Sequence, residues 1–245
     1  NGYYWYETAD QEGFWNSDYA KNKWDIKNGY EDVVQFPFGY GLSYTDFSWE
    51  VESVNFNNNQ TLEQDKEIEV KVKVTNIGEE WNGQDVVELY YSVPYYQGGI
   101  EKSAVKLGAF AKTSILEPGK SETVTLKLNL RDLASYDCYD KNNNGFMGYE
   151  LEAGKYTLSL RTDAHNLKDM KNAEMTFNIP SNDSNNTGYK YEYDEVTGKK
   201  VENLFTTYKN EVSGAESTNT EETISSKAKA YSIDGSDSDQ NITYL

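Results

Sequence analysis

The sequence predicts a mainly β protein built around one β-sandwich of about a hundred residues or a little more. Short runs of alternating apolar and polar residues occur at regular intervals, and turn residues separate them. In residues 67–75 the charged side chains occupy one face and four apolar side chains the other: Ile68, Val70, Val72 and Val74. That pattern indicates a half-buried strand of an antiparallel sheet.

Residues 1–32, which open the chain, are dense in aromatic side chains and show no regular apolar period. One interpretation is a surface on which sugar rings stack. The other is the buried margin of a larger domain, since most aromatic side chains in proteins are largely buried. The composition alone leaves both interpretations open.

Residues 33–47 are poor in charge and contain two glycines, Gly39 and Gly41, close to Pro37. Glycine permits positive φ and a close approach of the backbone to packed rings, whereas proline favours an extended preceding residue. We interpret the segment as a buried connector between two packed bodies, with an ordinary core strand as the alternative. Four of its rings are therefore expected to be buried: Phe36, Phe38, Tyr40 and Tyr44.

Seven strands are expected after the connector, in residues 47–51, 67–75, 85–93, 106–111, 123–128, 156–161 and 174–179. Residues 130–136 are expected to form one helical turn. Residues 181–245 are rich in Ser, Thr, Asn, Asp and Glu, which is typical of a mobile linker. Within that tail, residues 196–205 are expected to form a short hairpin or a docked segment.

The charge balance limits the partners that the chain can have. Lys and Arg number 23 against 41 Asp and Glu, a net charge of −18, which argues against nucleic acids and anionic membranes. No apolar run approaches the ~20 residues that a membrane-spanning helix needs. The single cysteine, Cys138, fits a reducing compartment. We therefore expect a cytoplasmic location, with secretion as the alternative.

Residues 140–145, from Asp140 to Gly145, match the opening of a calcium loop, with oxygen-bearing side chains at alternate positions and glycine at the sixth. The full pattern requires glutamate at the twelfth position, where this chain has Leu151. A plain Asn/Gly turn is therefore favoured, and no metal site is assigned. His165 is expected in a loop or at a strand end, and Cys138 is expected to be buried and inert.

Several motifs resemble glycoside hydrolase family 3. Residues 37–45 read PFGYGLSYT, which is similar to the signature that closes the α/β-sandwich domain of that family and leads into a fibronectin type III-like domain. Residues 2–8 read GYYWYET, similar to a late segment of the same α/β domain, although Tyr4 replaces its usual arginine. The fibronectin-like domain has close counterparts of VTNIG (74–78), DVVELYYSVP (85–94), KLGAFAKT (106–113), LEPGKSETV (116–124), LASYD (133–137) and GYELEAGKYTLSLRTDAHN (148–166).

The resemblance implies three parts: residues 1–46 as the end of an α/β-sandwich domain with its connector, 47–180 as a fibronectin type III-like (immunoglobulin-like) β-sandwich, and 181–245 as a polar linker towards a further domain. Residues 240–245 resemble the start of the catalytic barrel in circularly permuted members.

The resemblance also implies a function: a non-catalytic fragment of a β-glucosidase-type enzyme that hydrolyses terminal β-linked sugars. Its partners would be a β-linked oligosaccharide or glucoside, bound by the whole enzyme, and the α/β-sandwich and barrel domains. The family's nucleophilic aspartate lies in the barrel and its acid/base glutamate lies upstream of Gly2, so no catalytic residue and no cofactor are assigned. The alternative is a stand-alone carbohydrate-binding or adhesive sandwich.

Overall fold

The computed structural model describes residues 2–184 and 186–201. The chain divides into two compact units. The first contains residues 1–8 and 36–191, and the second contains residues 9–35 together with residues 192–201 of the described C-terminal part. None of the helices in this described part is long and apolar enough to cross a bilayer.

The N-terminal residues form helices: α1 (Tyr3–Gln11), a 3-10 turn (Phe14–Asn16), α2 (Asp18–Trp24) and α3 (Tyr30–Val33). Ser17 caps α2, because its hydroxyl accepts a hydrogen bond from the backbone nitrogen of Ala20 at 3.1 Å. Phe14 and Trp15 are buried, and Phe14 packs edge-on against Trp24. The sequence shows no regular apolar period in these residues, so it did not predict the helices.

Eleven strands follow in the described part of the chain: β1 (Phe47–Val54), β2 (Gln60–Thr61), β3 (Glu67–Asn76), β4 (Val86–Ser92), β5 (Lys106–Lys112), β6 (Ser121–Asn129), β7 (Ser135–Asp137), β8 (Gly148–Glu152), β9 (Gly154–Arg161), β10 (Glu174–Ile179) and β11 (Thr187–Tyr191). All seven predicted strands are confirmed, as β1, β3, β4, β5, β6, β9 and β10. The expected helical turn is a 3-10 turn at Leu130–Leu133, and β7 follows it.

Two sheets form the sandwich, with strand orders β1-β3-β6 and β2-β10-β9-β4-β5. Their inner faces share one hydrophobic core, to which β3 contributes four fully buried side chains: Ile68, Val70, Val72 and Val74. The predicted alternation of β3 is therefore confirmed. Strand β4 is buried on both faces, since Leu89 lies in this core and Tyr90 packs with Val105 and Ala164 in a second cluster.

A third sheet, with order β11-β8-β7, extends the first unit beyond residue 180. Strand β11 pairs with β8 in antiparallel register, and its last residue, Tyr191, is buried in the core. These residues had been expected to belong to a polar linker. They form a strand because two tyrosines anchor them, Tyr191 in the core and Tyr189 through a hydrogen bond from its hydroxyl to the carbonyl of Leu62 at 2.8 Å.

Residues 192–201 form a small hairpin, in which Tyr193 pairs with Lys200 and the nitrogen of Gly198 donates to the carbonyl of Asp194 at 2.8 Å. This agrees with the first half of the expected hairpin at residues 196–205. Its second half, and the barrel-like residues 240–245, lie outside the described residues.

Candidate functional site

The connector is fixed to the outer face of β4 through one carbonyl group. The carbonyl oxygen of Phe38 accepts a hydrogen bond from the backbone nitrogen of Ala164 at 2.7 Å and another from the Tyr90 hydroxyl at 3.3 Å. The same hydroxyl lies 2.8 Å from Oε2 of Glu88, and burial raises the pKa of that carboxyl group. Strand β4, through Tyr90, and the loop after β9, through Ala164, therefore hold the connector at Phe38.

Gly39 lies directly over Glu88. Its φ is +91°, and the backbone nitrogen of Tyr40 donates to the carbonyl of Pro37 at 3.1 Å, closing a tight turn. A Cβ atom at Gly39 would collide with the Glu88 carboxylate, whereas at Gly41 it would meet no atom within 4 Å. Of the two glycines in the motif, only Gly39 is required by the local geometry.

The apolar side chains of the connector point away from the sandwich. Leu42 is 88% exposed. The exposed fractions of the four rings are 61% for Phe36, 47% for Phe38, 44% for Tyr40 and 94% for Tyr44. These four rings were expected to be buried between two packed bodies, and within the described residues none of them is fully covered. The sandwich contacts the backbone of the segment at Phe38, and each of the four rings keeps a large part of its surface exposed.

The N-terminal residues of α1 pack beside the connector within the first unit. The ring of Tyr3 stacks on Phe38 with 4.4 Å between centroids, and its hydroxyl accepts a hydrogen bond from the nitrogen of Leu107 at 3.0 Å. Nδ1 of His165, which lies in the loop after β9, is 3.0 Å from Oε2 of the buried Glu7. The motif at residues 2–8 and the motif at 37–45 therefore meet on one face.

A buried polar cluster joins the end of the connector to β3. Oγ1 of Thr45 donates to Oδ1 of Asn76 at 2.6 Å, and Nδ2 of Asn76 donates to the carbonyls of Trp81 and Leu116 at 2.8 and 2.9 Å. Asn76 is fully buried, and each of these partners satisfies a polar group that would otherwise be costly to bury. The arrangement fixes where the connector ends and β1 begins.

The loop between β7 and β8 contains the calcium-like residues. Oδ1 of Asp140 accepts hydrogen bonds from the nitrogens of Asn144 and Gly145 at 2.8 and 3.1 Å. Glu150 of β8 is 1% exposed, and its Oε2 accepts a hydrogen bond from Nδ2 of Asn144 at 2.6 Å. Burial raises the pKa of Glu150, and the side chains of Asn142 and Asn144, which face its carboxylate, oppose that rise.

The remaining singled-out residues do not assemble into a reactive centre. Cys138 is half-buried rather than buried, and burial raises the pKa of its thiol. In residues 2–184 and 186–201, no three carboxylate, thiol or imidazole groups converge as a metal site. What the first unit offers instead is an exposed aromatic face on a rigidly held connector.

Comparison with known proteins defines the class of the sandwich. The family profile of the fibronectin type III-like domain matches residues 85–164, which include β4, β5, β6 and β9. The chain therefore contains a fibronectin type III-like domain.

The relatives extend the match beyond that domain. β-Glucosidase A of Butyrivibrio fibrisolvens is 37% identical over 192 residues, which are 70% of this chain and 22% of the relative. A β-glucosidase of Ruminococcus albus is 36% identical over 165 residues, 64% of this chain and 16% of its own length. A solved β-glucosidase structure from Paenibacillus barengoltzii is 42% identical, with a TM-score of 0.49, and the match covers 61% of this chain and 16% of that one. The chain resembles the C-terminal part of a family 3 β-glucosidase and spans about a fifth of the length of the curated relatives it matches.

Proposed function

We propose that this chain is a non-catalytic part of a β-glucosidase-type glycoside hydrolase, in which the sandwich braces the catalytic domains. The whole enzyme would hydrolyse terminal β-linked sugars, with a glucoside or β-linked oligosaccharide as substrate. The tail after residue 201 would lead towards a further domain. A cytoplasmic location remains a prediction.

The observation that carries this proposal is the exposed connector. Its backbone is held by the Phe38 carbonyl and by the close approach of Gly39 to Glu88, yet Leu42 and Tyr44 are almost fully exposed. A contiguous apolar patch of this kind marks an interaction surface, because exposing it to water is unfavourable. We infer that the α/β-sandwich and barrel domains of the enzyme cover it.

A second candidate function is supported by the same rings. Phe36 and Tyr40 stack on each other with 5.1 Å between centroids, and both are exposed. Exposed aromatic faces also bind sugar rings, so the chain could be a stand-alone carbohydrate-binding module. The two functions make different predictions for the isolated chain: as a brace it binds no sugar, whereas as a carbohydrate-binding module it does.

The test is to incubate the purified chain with an aryl β-glucoside and, separately, to titrate it with a β-linked glucose oligosaccharide. We expect no turnover and no binding, because the chain supplies the brace and other domains supply both catalytic carboxylates. Turnover that follows the protein through repurification would contradict the proposal. Binding that is lost in Tyr40→Ala would favour the carbohydrate-binding module.

A further inference from the structure

The loop between β7 and β8 is folded around its own polar side chains. Asp140 and Asn143 have positive φ values of 52° and 54°, and the Asp140 carboxylate accepts hydrogen bonds from two backbone nitrogens four and five residues later. Oδ1 of Asn144 accepts a hydrogen bond from the nitrogen of Phe146 at 2.8 Å. Three oxygen-bearing side chains therefore lie at alternate positions of one tight loop: Asp140, Asn142 and Asn144.

Glu150 supplies an observation independent of the loop's conformation. It is 1% exposed, its Oε2 accepts from Asn144, and its Oε1 has no hydrogen-bond partner among the described residues. Nδ2 of Asn142, whose amide faces Glu150, is likewise buried without a partner in the described part. The Asn142 amide is thus the group that faces Oε1 of Glu150, but it forms no hydrogen bond of ordinary geometry with that oxygen, so the buried carboxylate is only partly satisfied.

Glu150 forms no ion pair among the described residues, although Lys190 of β11 lies directly opposite it in the third sheet. The neighbouring Glu152, equally buried, forms an ion pair with Lys102, but no such pair within residues 2–184 and 186–201 includes Glu150 or the buried Asp137. Nζ of Lys190 donates to the backbone carbonyl of Asn144 at 3.1 Å. A cation with several oxygen ligands would compensate the Glu150 carboxylate, whereas the Lys190 ammonium group is engaged with a backbone carbonyl.

The strand that follows the loop explains why the glutamate stands at the eleventh position and not at the twelfth. Calcium loops of the helix-loop-helix type place glutamate at the twelfth position. Here the loop runs into strand β8, where successive side chains point to opposite faces. Leu151, at the twelfth position, enters the hydrophobic core, and Glu150, at the eleventh, faces the loop.

We propose that residues 140–150 bind one Ca²⁺ through side-chain oxygens of Asp140, Asn142, Asn144 and Glu150. Calcium suits this set better than Mg²⁺, because it accepts many neutral and charged oxygens in flexible geometry, whereas Mg²⁺ requires a near-ideal octahedron and retains its waters. Binding requires the amides of Asn142 and Asn144, which present nitrogen to Glu150, to turn their oxygens towards the cation, and Asn144 then gives up the hydrogen bond from the nitrogen of Phe146. The ion would fasten β7 to β8 at the edge of the third sheet.

The test is a calorimetric titration of the full chain with CaCl2, together with thermal melts in EDTA, in CaCl2 and in MgCl2. The variant is Glu150→Gln, which keeps the side-chain shape and removes the charge. The control is Glu117→Gln, which makes the same charge change at an exposed position. We expect one Ca²⁺ per chain and a higher Tm in CaCl2 for the wild type and the control, and an affinity about tenfold weaker or worse in Glu150→Gln. In EDTA, Glu150→Gln should melt no lower than the wild type.

The proposal is overturned if the wild type binds no Ca²⁺. It is also overturned if Glu150→Gln keeps the full rise in Tm, because the ion would then only screen the chain's net charge of −18. An equal effect of MgCl2 would overturn the assignment to calcium. If Glu150→Gln does not fold, Asp140→Asn replaces it, since an asparagine oxygen can still accept the two backbone hydrogen bonds, and retained wild-type affinity in that variant counts against the site.

Discussion

Gly39 shows how a single residue determines the path of the connector. Its positive φ turns the chain at Pro37, and its missing side chain allows the backbone to lie on the Glu88 carboxylate. Phe38 can then bring its carbonyl to both Ala164 and Tyr90. The aromatic residues on either side depend on this one contact for their position.

We predict that Gly39→Ala destabilises the chain by about 1–3 kcal/mol, because an L side chain is strained at this φ and its Cβ would collide with Glu88. Gly41→Ala is the matched control, since that Cβ would have open space around it. The measurement is urea unfolding of both variants. Equal stability of the two variants would show that the turn at Gly39 is not held as described.

The two glycines also show what the sequence could and could not predict at this scale. Their spacing indicated a close approach of the backbone, but only the fold shows that Glu88 lies under Gly39 and that nothing lies near Gly41. Glu150, which adjoins the twelfth position of the calcium pattern, was set aside for a related reason. The calcium pattern was counted in helical phase, whereas the chain after the loop is a strand.

At the scale of elements, the third sheet joins the consecutive strands β7 and β8 to β11, which lies much later in the chain. Strand β8 lies between β7 and β11, and β11 is further attached through Tyr189 and through a hydrogen bond from Nε2 of Gln64 to the carbonyl of Lys190 at 3.2 Å. Tyr191 brings its ring into the core, where the guanidinium of Arg131 lies 4.8 Å from its centroid. The polar tail therefore begins after this strand.

We predict that Tyr191→Ala destabilises the chain by about 3–5 kcal/mol, as expected for removal of a buried ring. Tyr191→Phe is the control and should stay within about 1 kcal/mol of the wild type, because it keeps the buried ring and removes only the hydroxyl. Thermal melts measure both. Limited proteolysis of the wild type should stop after Tyr191, and trimming back to residue 180 without loss of stability would contradict the role of β11.

Strands differ in how clearly a sequence predicts them, and β3 and β8 are the two extremes. Strand β3 has one apolar and one charged face, so its period of two is plain. In β8, the carboxylates of Glu150 and Glu152 are buried and Tyr149 is exposed, which reverses the usual pattern. Polar contacts hold such a strand in place, one from Lys102, which is distant in sequence, and one from Asn144 in the preceding loop.

At the scale of the whole molecule, charge and exposed apolar surface are distributed unevenly. The chain has a net charge of −18, yet the connector between residues 36 and 44 exposes five large apolar side chains and contains no charged residue. The acidic surface favours solubility, whereas the connector favours association. This contrast supports the proposal that further domains of the enzyme cover the connector.

The last prediction concerns the double variant Leu42→Ser/Tyr44→Ser, which removes the two most exposed apolar side chains of the connector. In this chain alone it should change stability by no more than about 0.5 kcal/mol, because neither side chain is buried. In the longer enzyme it should lower the Tm, because the same side chains would be buried against another domain, and a buried Leu or Phe contributes about 1.5–3 kcal/mol.

The control is Ile115→Ser, which removes a side chain that is 65% exposed and lies outside the connector, and it should leave both proteins unchanged. The measurement is a pair of thermal melts, with kcat and KM recorded at a temperature at which every variant is folded. We expect the kinetic constants to be retained, because neither residue supplies a catalytic carboxylate. An unchanged melt of the longer enzyme would mean that the connector stays exposed there, and its rings would then be better explained as a sugar-binding surface.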